Sequence, residues 1–98
     1  MFVLTSIDEE NKIAFMTCVE LVLMKKGNIN YNLVIARLHA LYNCEINECV
    51  DHPEYLKTVL KEVYKDDYNS VLDDISLETD RLEDMDKFKA NFFKFMTS

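Results

Sequence analysis

Turn-forming residues are rare in this chain, which has one glycine and one proline among 98 residues. A β-sheet fold needs a tight turn between most of its strands, and such turns rely on glycine and proline. The shortage therefore favours helices. Hydrophobic residues make up 49% of the chain, which suits a packed core and argues against disorder. We expect an all-α fold in which residues 1–98 form one compact bundle of four to five helices.

Hydrophobic residues at helical spacing locate these helices. They are predicted near residues 8–26, 31–42, 52–64, 67–79 and 81–96, with residues 1–5 as coil. Ser6 and Glu9 have the spacing of a capping box at the start of the first helix, and Gly27 is expected to end it. Apolar residues cover most of the circumference of this helix, which indicates a central position with neighbours on several sides.

The second helix is expected to begin with Asn30 as its cap and to end at Asn43, because asparagine tolerates the left-handed conformation. Its predicted core face consists of Val34, Leu38, Leu41 and Tyr42, flanked by Leu33 and Ile35. Residues 44–50 are predicted to be a short connector with about one helical turn, anchored by Ile46 and Val50.

The clearest helix start in the sequence lies at residues 51–54. Asp51 can accept hydrogen bonds from the free amides of the first turn, and Glu54 can return the bond. Pro53 fits there because the amides of the first turn lack helical partners. One apolar face then follows, formed by Leu56, Val59, Leu60 and Val63, and the pattern repeats with Tyr68, Val71, Leu72 and Ile75. Two helices packed as a hairpin are predicted.

The C-terminal third contains a change of apolar face. Val71, Leu72, Ile75 and Leu82 share one side of a helical wheel, whereas Leu77, Met85, Phe88, Phe92 and Phe95 lie on the opposite side. One straight helix would have to switch faces in its middle. Either the helix breaks near residues 79–84, which we favour, or the phenylalanine-rich half is a surface for a homodimer or another partner.

Negative charge is concentrated in residues 51–86. The formal charge of the chain is −7, and this segment has twelve acids and four bases, while the remainder has six acids and seven bases. Such a segment repels phosphate backbones, so we expect no direct binding to nucleic acid. Cys18, Cys44 and Cys49 are an odd number of cysteines, which indicates reduced thiols in the cytoplasm. Without a basic N-terminal region or an apolar run of about 20 residues, no signal peptide or membrane span is expected.

Few residues form a pattern typical of catalysis or metal binding. His39, Cys44, Cys49 and His52 are a chemically suitable zinc set, but their spacing matches no usual zinc finger or ribbon. The acidic pairs at residues 66–67 and 73–74 lack the glycine of a calcium loop. No nucleotide-binding or hydrolase motif is present. We expect neither an enzyme nor a bound metal or cofactor.

Tyrosines and acids are interspersed in the acidic segment. Tyr55, Tyr64 and Tyr68 could line a groove with a rim of Glu54, Glu62, Asp66 and Asp67, which would suit a basic partner protein. The alternative is that these tyrosines pack at the edge of the core beside solvated acids. The predicted partner-binding residues are Tyr55, Glu62, Tyr64, Asp66, Asp67, Asp73 and Asp74, together with Phe88, Phe92 and Phe95 of the last helix.

Residues 35–75, about two fifths of the chain, resemble a small helical output-type domain of Thaumarchaeota that occurs alone or attached to sensor proteins. The matching residues are Asp51-His52-Pro53-Glu54-Tyr55-Leu56, then Val59-Leu60-Lys61-Glu62-Val63-Tyr64, then Tyr68, Leu72 and Ile75. Such domains commonly have a glycine where this chain has Lys65. The resemblance implies a regulatory helical module and no catalytic residues.

Two functions remain open from the sequence. The first is a regulatory module that binds a protein partner through the tyrosine-bearing acidic face or the phenylalanine-rich helix. The second is an acidic decoy, of the kind found in small viral proteins, whose carboxylates imitate the phosphates of nucleic acid. A decoy needs free acids along one exposed ridge and should lose its target steeply with salt. A module that docks through apolar residues should tolerate salt better.

Overall fold

The computed structural model describes residues 2–82 and 86–98, with side chains for residues 10–82, 86 and 88–98. Its α-helices are α1 (Phe2–Lys26), α2 (Asn28–Tyr42), α3 (Pro53–Tyr64), α4 (Tyr68–Thr79) and α5 (Asp86–Thr97). Short 3-10 turns occupy Ile46–Val50 and Lys65–Asp67, and the described residues include no strand. The radius of gyration of 13.1 Å matches the value of about 13 Å for a compact chain of this length. The predicted all-α bundle is confirmed.

Helix α1 is the centre of the bundle, as predicted. It packs against α2, α4 and the 3-10 turn Ile46–Val50. Phe15, Met16, Val19 and Leu23 are fully buried on its inner side. The coil predicted for residues 2–5 is wrong, because no glycine or proline interrupts the chain before Gly27 and the helix extends to Phe2.

The predicted capping box of α1 is not at the start of the helix. Ser6 lies inside α1, one turn after its first residue. The side chains of Ser6 and Glu9 lie outside the described part, as does Met1 of the predicted coil. The helix therefore continues upstream of the residues that the sequence pattern marked as the boundary.

Gly27 turns the chain from α1 into α2. Its φ of 138° is strongly disfavoured for any residue with a Cβ atom, and its amide donates to the carbonyl of Met24 at 3.1 Å. Because the turn is complete within one residue, α2 begins at Asn28, and the prediction that Asn30 caps this helix is wrong. At the other end Asn43 has φ 49° and ψ 48°, which confirms the predicted left-handed stop.

Helix α3 begins near the predicted position, but its N-cap residue differs from the predicted one. Pro53 is in the first turn as predicted, while His52 occupies the N-cap position without a side-chain capping bond. Asp51 was predicted as the cap, and this is wrong. It follows the 3-10 turn, and its carboxylate contacts the Lys12 ammonium at 3.3 Å. The predicted anchor of that turn, Ile46, is buried.

The apolar faces of α3 and α4 are those that the periodicity predicted. The buried residues are Leu56, Val59 and Leu60 on α3 and Tyr68, Val71, Leu72 and Ile75 on α4. The two helices contact each other across the turn Lys65–Asp67. The four residues of α4 close the core against α1, while Leu77 points away and is 69% exposed.

The predicted break after α4 is confirmed. Helix α4 ends at Thr79 and α5 begins at Asp86. The Thr79 hydroxyl donates to the Ile75 carbonyl at 2.8 Å, and the Leu82 amide donates to the Thr79 carbonyl at 3.0 Å, so the chain turns directly after the helix. Residues 83–85, which include the predicted face residue Met85, lie outside the described residues. The break lets α5 pack its apolar face against α3 and α4.

Candidate interaction surfaces

Of the ten carboxylates of the acidic segment that the structure describes, six are paired with bases from other elements. The Lys26 ammonium donates to Asp74 at 2.8 Å and lies 3.8 Å from Asp67. The other long-range pairs join Lys12 to Asp51 at 3.3 Å, Lys25 to Glu78 at 3.2 Å, Arg37 to Glu62 at 3.7 Å, and Lys89 to Asp80. Each such surface pair contributes little to stability. Together they leave few free carboxylates on this side of the molecule.

Lys26 is the base with the most acidic surroundings. The hydrogen bond that the Lys26 ammonium donates to Asp74 is the main cause that raises the pKa of this ammonium, and the charges of Asp74 and Asp67 act in the same direction. Partial burial of the ammonium opposes this rise. Two of the predicted binding acids are therefore used in holding α1 against α4 and the turn before it.

Asp66 and Asp73 are the predicted binding acids that point to solvent without an ion-pair partner among the described residues. Asp66 lies on the rim of an open groove of about 460 Å³, which also contains Lys61 and Lys65. The lysines offset the charge of Asp66 at this rim. A continuous ridge of free acids, which a nucleic-acid mimic needs, is therefore not formed by these residues.

The three predicted tyrosines do not share one groove, although Tyr68 lines the open groove beside Asp66. Tyr64 and Tyr68 are buried, because they fill the space where α3 and α4 meet α5. The Tyr68 hydroxyl donates to the Met96 carbonyl of α5 at 2.7 Å, and burial raises its pKa to about 12. The Tyr64 hydroxyl is buried with no hydrogen-bond partner in the described part of the chain. Burial, aided by the charge of Asp67, raises the pKa of Tyr64.

Tyr55 belongs to a stack of rings at the junction of α2 and α3. Its ring lies 4.1 Å from that of Tyr42 at an interplanar angle of 6°, and 4.8 Å from the His52 ring at 15°. Both flat faces of Tyr55 are thus covered by neighbours in the same molecule. The residue is half-buried and presents only its edge to solvent.

The four residues of the suitable zinc set do not converge. The thiols of Cys44 and Cys49 are buried with their sulfurs 3.9 Å apart, and burial is the main cause that raises the pKa of each. The imidazoles face carboxylates instead, His39 lying 3.1 Å from Glu45 and His52 lying 3.6 Å from its neighbour Glu54. Among the described residues no three potential ligands are arranged around a common point.

The phenylalanines of α5 divide between the core and the surface. The Phe15 ring of α1 makes edge-to-face contacts with Phe88 at 5.0 Å and with Phe92 at 4.8 Å between centroids. Phe92 is only 5% exposed, yet it lines an open groove of about 280 Å³ together with Phe88 and Phe95, so the partner role of these residues stays a prediction. Phe95 is 39% exposed, with the Lys57 ammonium 5.5 Å from its ring centroid.

An apolar stripe runs along the outer face of α2. It consists of Ile29, Leu33, Ala36 and Ala40, which we call the α2 stripe. All four are exposed, Ile29 by 80% and Leu33 by 48%. At 3.6 residues per turn the four side chains lie within an arc of about 60°. Helix α2 contains no aspartate or glutamate, in contrast to the acidic segment.

No protein-family model matches the chain, and neither a curated protein nor a solved structure is significantly similar to it. The resemblance to a thaumarchaeal output-type domain stays a prediction. None of the helices within the described ranges has the combined length and apolar composition of a membrane span.

The α2 stripe is not among the surfaces predicted from the sequence, because the prediction gives α2 a single apolar face. Val34 and Leu38 are buried as predicted, but Leu41 is 48% exposed and Leu33 points outward. The missed signal was a spacing of four, three and four residues from Ile29 to Ala40, which is the heptad pattern of a second apolar seam.

Proposed function

We propose that this protein is a small regulatory interaction module that binds a protein partner through the α2 stripe. The observation that carries the proposal is the outer face of α2, where apolar residues at heptad spacing face solvent. The partner surface that fits this stripe is an apolar helix or groove. It need not be basic, because α2 contains no acids.

The exposure of the α2 stripe favours docking over a purely structural role. The inner side of α2 is covered by its own bundle, whereas the α2 stripe has no cover among the described residues. Single exposed leucines are ordinary, whereas aligned ones mark interaction sites. Burying a side chain such as Ile29 or Leu33 in an interface contributes about 1.5–3 kcal/mol of hydrophobic free energy. Two such anchors, flanked by alanines that allow close approach, are typical of a helix-in-groove contact.

The pairing of the acids favours a module over an acidic decoy. Long-range ion pairs neutralise several of the carboxylates that a decoy would present, including Asp67 and Asp74. The free acids Asp66 and Asp73 are better suited to a secondary role, in which they attract a partner with basic residues around its apolar site. Binding through the α2 stripe should therefore persist in high salt.

A site-specific photocrosslinker tests the proposal. We would place it at residue 33 on the α2 stripe and, as a control, at residue 73 on α4, and irradiate each protein in extract of the native host. We expect a discrete adduct from position 33 that persists in high salt and is absent from position 73. Excess wild-type protein should change the yield of this adduct, because it either competes for a different partner or acts as the partner itself, while excess Leu33→Glu protein should leave the yield unchanged.

The outcomes are distinct. An adduct from both positions, or one whose yield excess Leu33→Glu protein changes as much as wild-type protein does, would reject the α2 stripe as the binding surface. An adduct that forms only from position 73 and disappears in high salt would instead favour the acidic decoy. Circular dichroism of each variant verifies that the helical fold is intact before irradiation.

A further inference from the structure

We infer that the α2 stripe binds a second copy of the same chain, with the two α2 helices antiparallel across a twofold axis. This inference rests on the proposed function, because it names the occupant of the same surface. It is supported by the order of large and small residues along the stripe and by the distribution of charge on the molecule.

The order of residue sizes makes the stripe complementary to itself. In an antiparallel pair centred between residues 34 and 35, Ile29 lies opposite Ala40 of the second copy, and Leu33 lies opposite Ala36 of the second copy. Each large side chain thus meets a small one, twice over by symmetry. A parallel pair would place alanine against alanine and leave voids, which destabilise a packed seam. A twofold interface requires this kind of self-complementary patch.

The heptad positions of α2 divide its apolar residues between two sides of the helix, which allows two separate contacts. The stripe residues occupy the a and d positions, which form the seam between two helices in a coiled coil. The buried or half-buried residues Tyr31, Val34, Ile35, Leu38 and Tyr42 lie on the other side and pack on the core of their own molecule. The helix can therefore serve its own bundle and a second copy at the same time, without any change of fold.

Charge also selects this face for self-association. A protein of net charge −7 repels its own copies, and the repulsion is least where acids are absent. Helix α2 has Arg37 and His39 as its only ionisable groups apart from tyrosine. Both flank the seam, and each faces a carboxylate of its own molecule, Arg37 lying 3.7 Å from Glu62 and His39 lying 3.1 Å from Glu45, so the rim of the stripe carries opposite charges side by side and no excess of acids.

The size of the contact predicts a reversible dimer. From residue 29 to residue 40 a helix extends about 17 Å at about 1.5 Å per residue, and it is about 10 Å wide. The contact is therefore well below the roughly 800 Å² per partner of a standard stable interface. We expect a transient dimer that forms as the protein concentration rises.

Sedimentation velocity over a concentration series tests the inference. Wild-type protein should pass from monomer to dimer as its concentration approaches about 1 mM, as expected for a small interface. Leu33→Glu should raise the dimer Kd by at least about tenfold. Leu77→Glu is the matched control, since it adds the same charge at an exposed leucine outside α2 and should dimerise like wild type.

Three results would overturn the inference. They are a wild type that stays monomeric up to about 1 mM, a Leu77→Glu variant that dissociates as readily as Leu33→Glu, and a Leu33→Glu variant that dimerises like wild type. A monomeric wild type would leave the proposed function intact, since position 33 could still crosslink a different protein in extract. The mass of the adduct from position 33 separates the two cases, because a second copy adds 11.5 kDa.

Cysteine pairs test the orientation in a chain that carries Cys18→Ala. An Ile29→Cys protein mixed with an Ala40→Cys protein should form a disulfide dimer on mild oxidation with diamide, because the two positions face each other in the antiparallel pair. Ile29→Cys protein alone should crosslink far less. The reverse result would indicate parallel helices and would reject the proposed arrangement.

Discussion

Lys65 has a backbone conformation that is unfavourable for a lysine. Its φ of 50° and ψ of −116° lie in a region that residues with a Cβ atom rarely occupy. Lys65 is the C-cap residue of α3. The turn into α4 requires a positive φ at this position, which a glycine adopts without strain.

Replacing Lys65 with glycine should stabilise the protein. We expect Lys65→Gly to raise the free energy of unfolding by about 1 kcal/mol, because the strain exceeds the entropy that glycine adds to the unfolded chain. Urea denaturation measures this change, and the melting temperature should rise by about 4–8 °C. Asn43→Gly is the control and should gain less, since asparagine tolerates its left-handed conformation. A destabilised Lys65→Gly variant would contradict the assignment of strain.

Two buried tyrosine hydroxyls offer a matched pair of substitutions. Tyr68→Phe should lower the free energy of unfolding by about 1 kcal/mol, because it removes the hydrogen bond to Met96 and leaves that carbonyl without its donor. Tyr64→Phe should be neutral or stabilising by up to about 1 kcal/mol, because its hydroxyl has no partner among the described residues. Urea denaturation at pH 7 compares them, and equal losses would contradict the difference in hydrogen bonding.

The same tyrosines determine how stability changes in alkali. The pKa of Tyr68 is about 12 in the folded protein, compared with about 10 in an unfolded chain. The neutral hydroxyl is therefore favoured by folding, and its contribution is complete below pH 10 and is lost as the pH rises to 12. The stability of Tyr68→Phe should fall less steeply than that of wild type over this window. Identical slopes for wild type and Tyr68→Phe would mean that Tyr68 ionises as easily in the folded protein as in the unfolded chain.

At the scale of helices, α5 depends on two phenylalanines with different surroundings. Phe92→Ala should lower the free energy of unfolding by about 3–4 kcal/mol, because its ring is buried against Phe15. Phe95→Ala should cost less than about 1 kcal/mol, because that ring is partly in water. Urea denaturation of both variants measures the difference. A small effect of Phe92→Ala would indicate that the Phe92 ring is not packed in the core and that this face of α5 is available to a partner.

Most helices and their inner faces could be predicted, because both follow from local spacing. Leu56, Val59 and Leu60 repeat at the helical period, and any surroundings would bury that side first. Boundaries were less predictable where a turn is shared between two elements. Asp51 has the chemistry of a cap, but the 3-10 turn before it places His52 at the start of α3. The competing hydrogen bonds of that turn decided the boundary.

At the scale of the whole molecule, charge repulsion and the α2 stripe oppose each other. The repulsion disappears near pH 4.7, where the net charge of the chain is zero. We expect light scattering by wild type and by Leu77→Glu to rise sharply near this pH, and scattering by Leu33→Glu to rise less. The two variants carry the same added charge, so equal scattering would show that the stripe does not drive association.

The sequence by itself determined that this chain is helical, where α3 and α4 bury their apolar faces, and that the chain breaks before its phenylalanine-rich end. These properties depend on hydrogen bonds and side-chain spacing within a few residues of each other. Only the tertiary structure decided that α2 leaves a second apolar side exposed, and that Lys26 pairs with Asp74, 48 residues away. Such outcomes depend on distances between helices, and no local pattern encodes those distances.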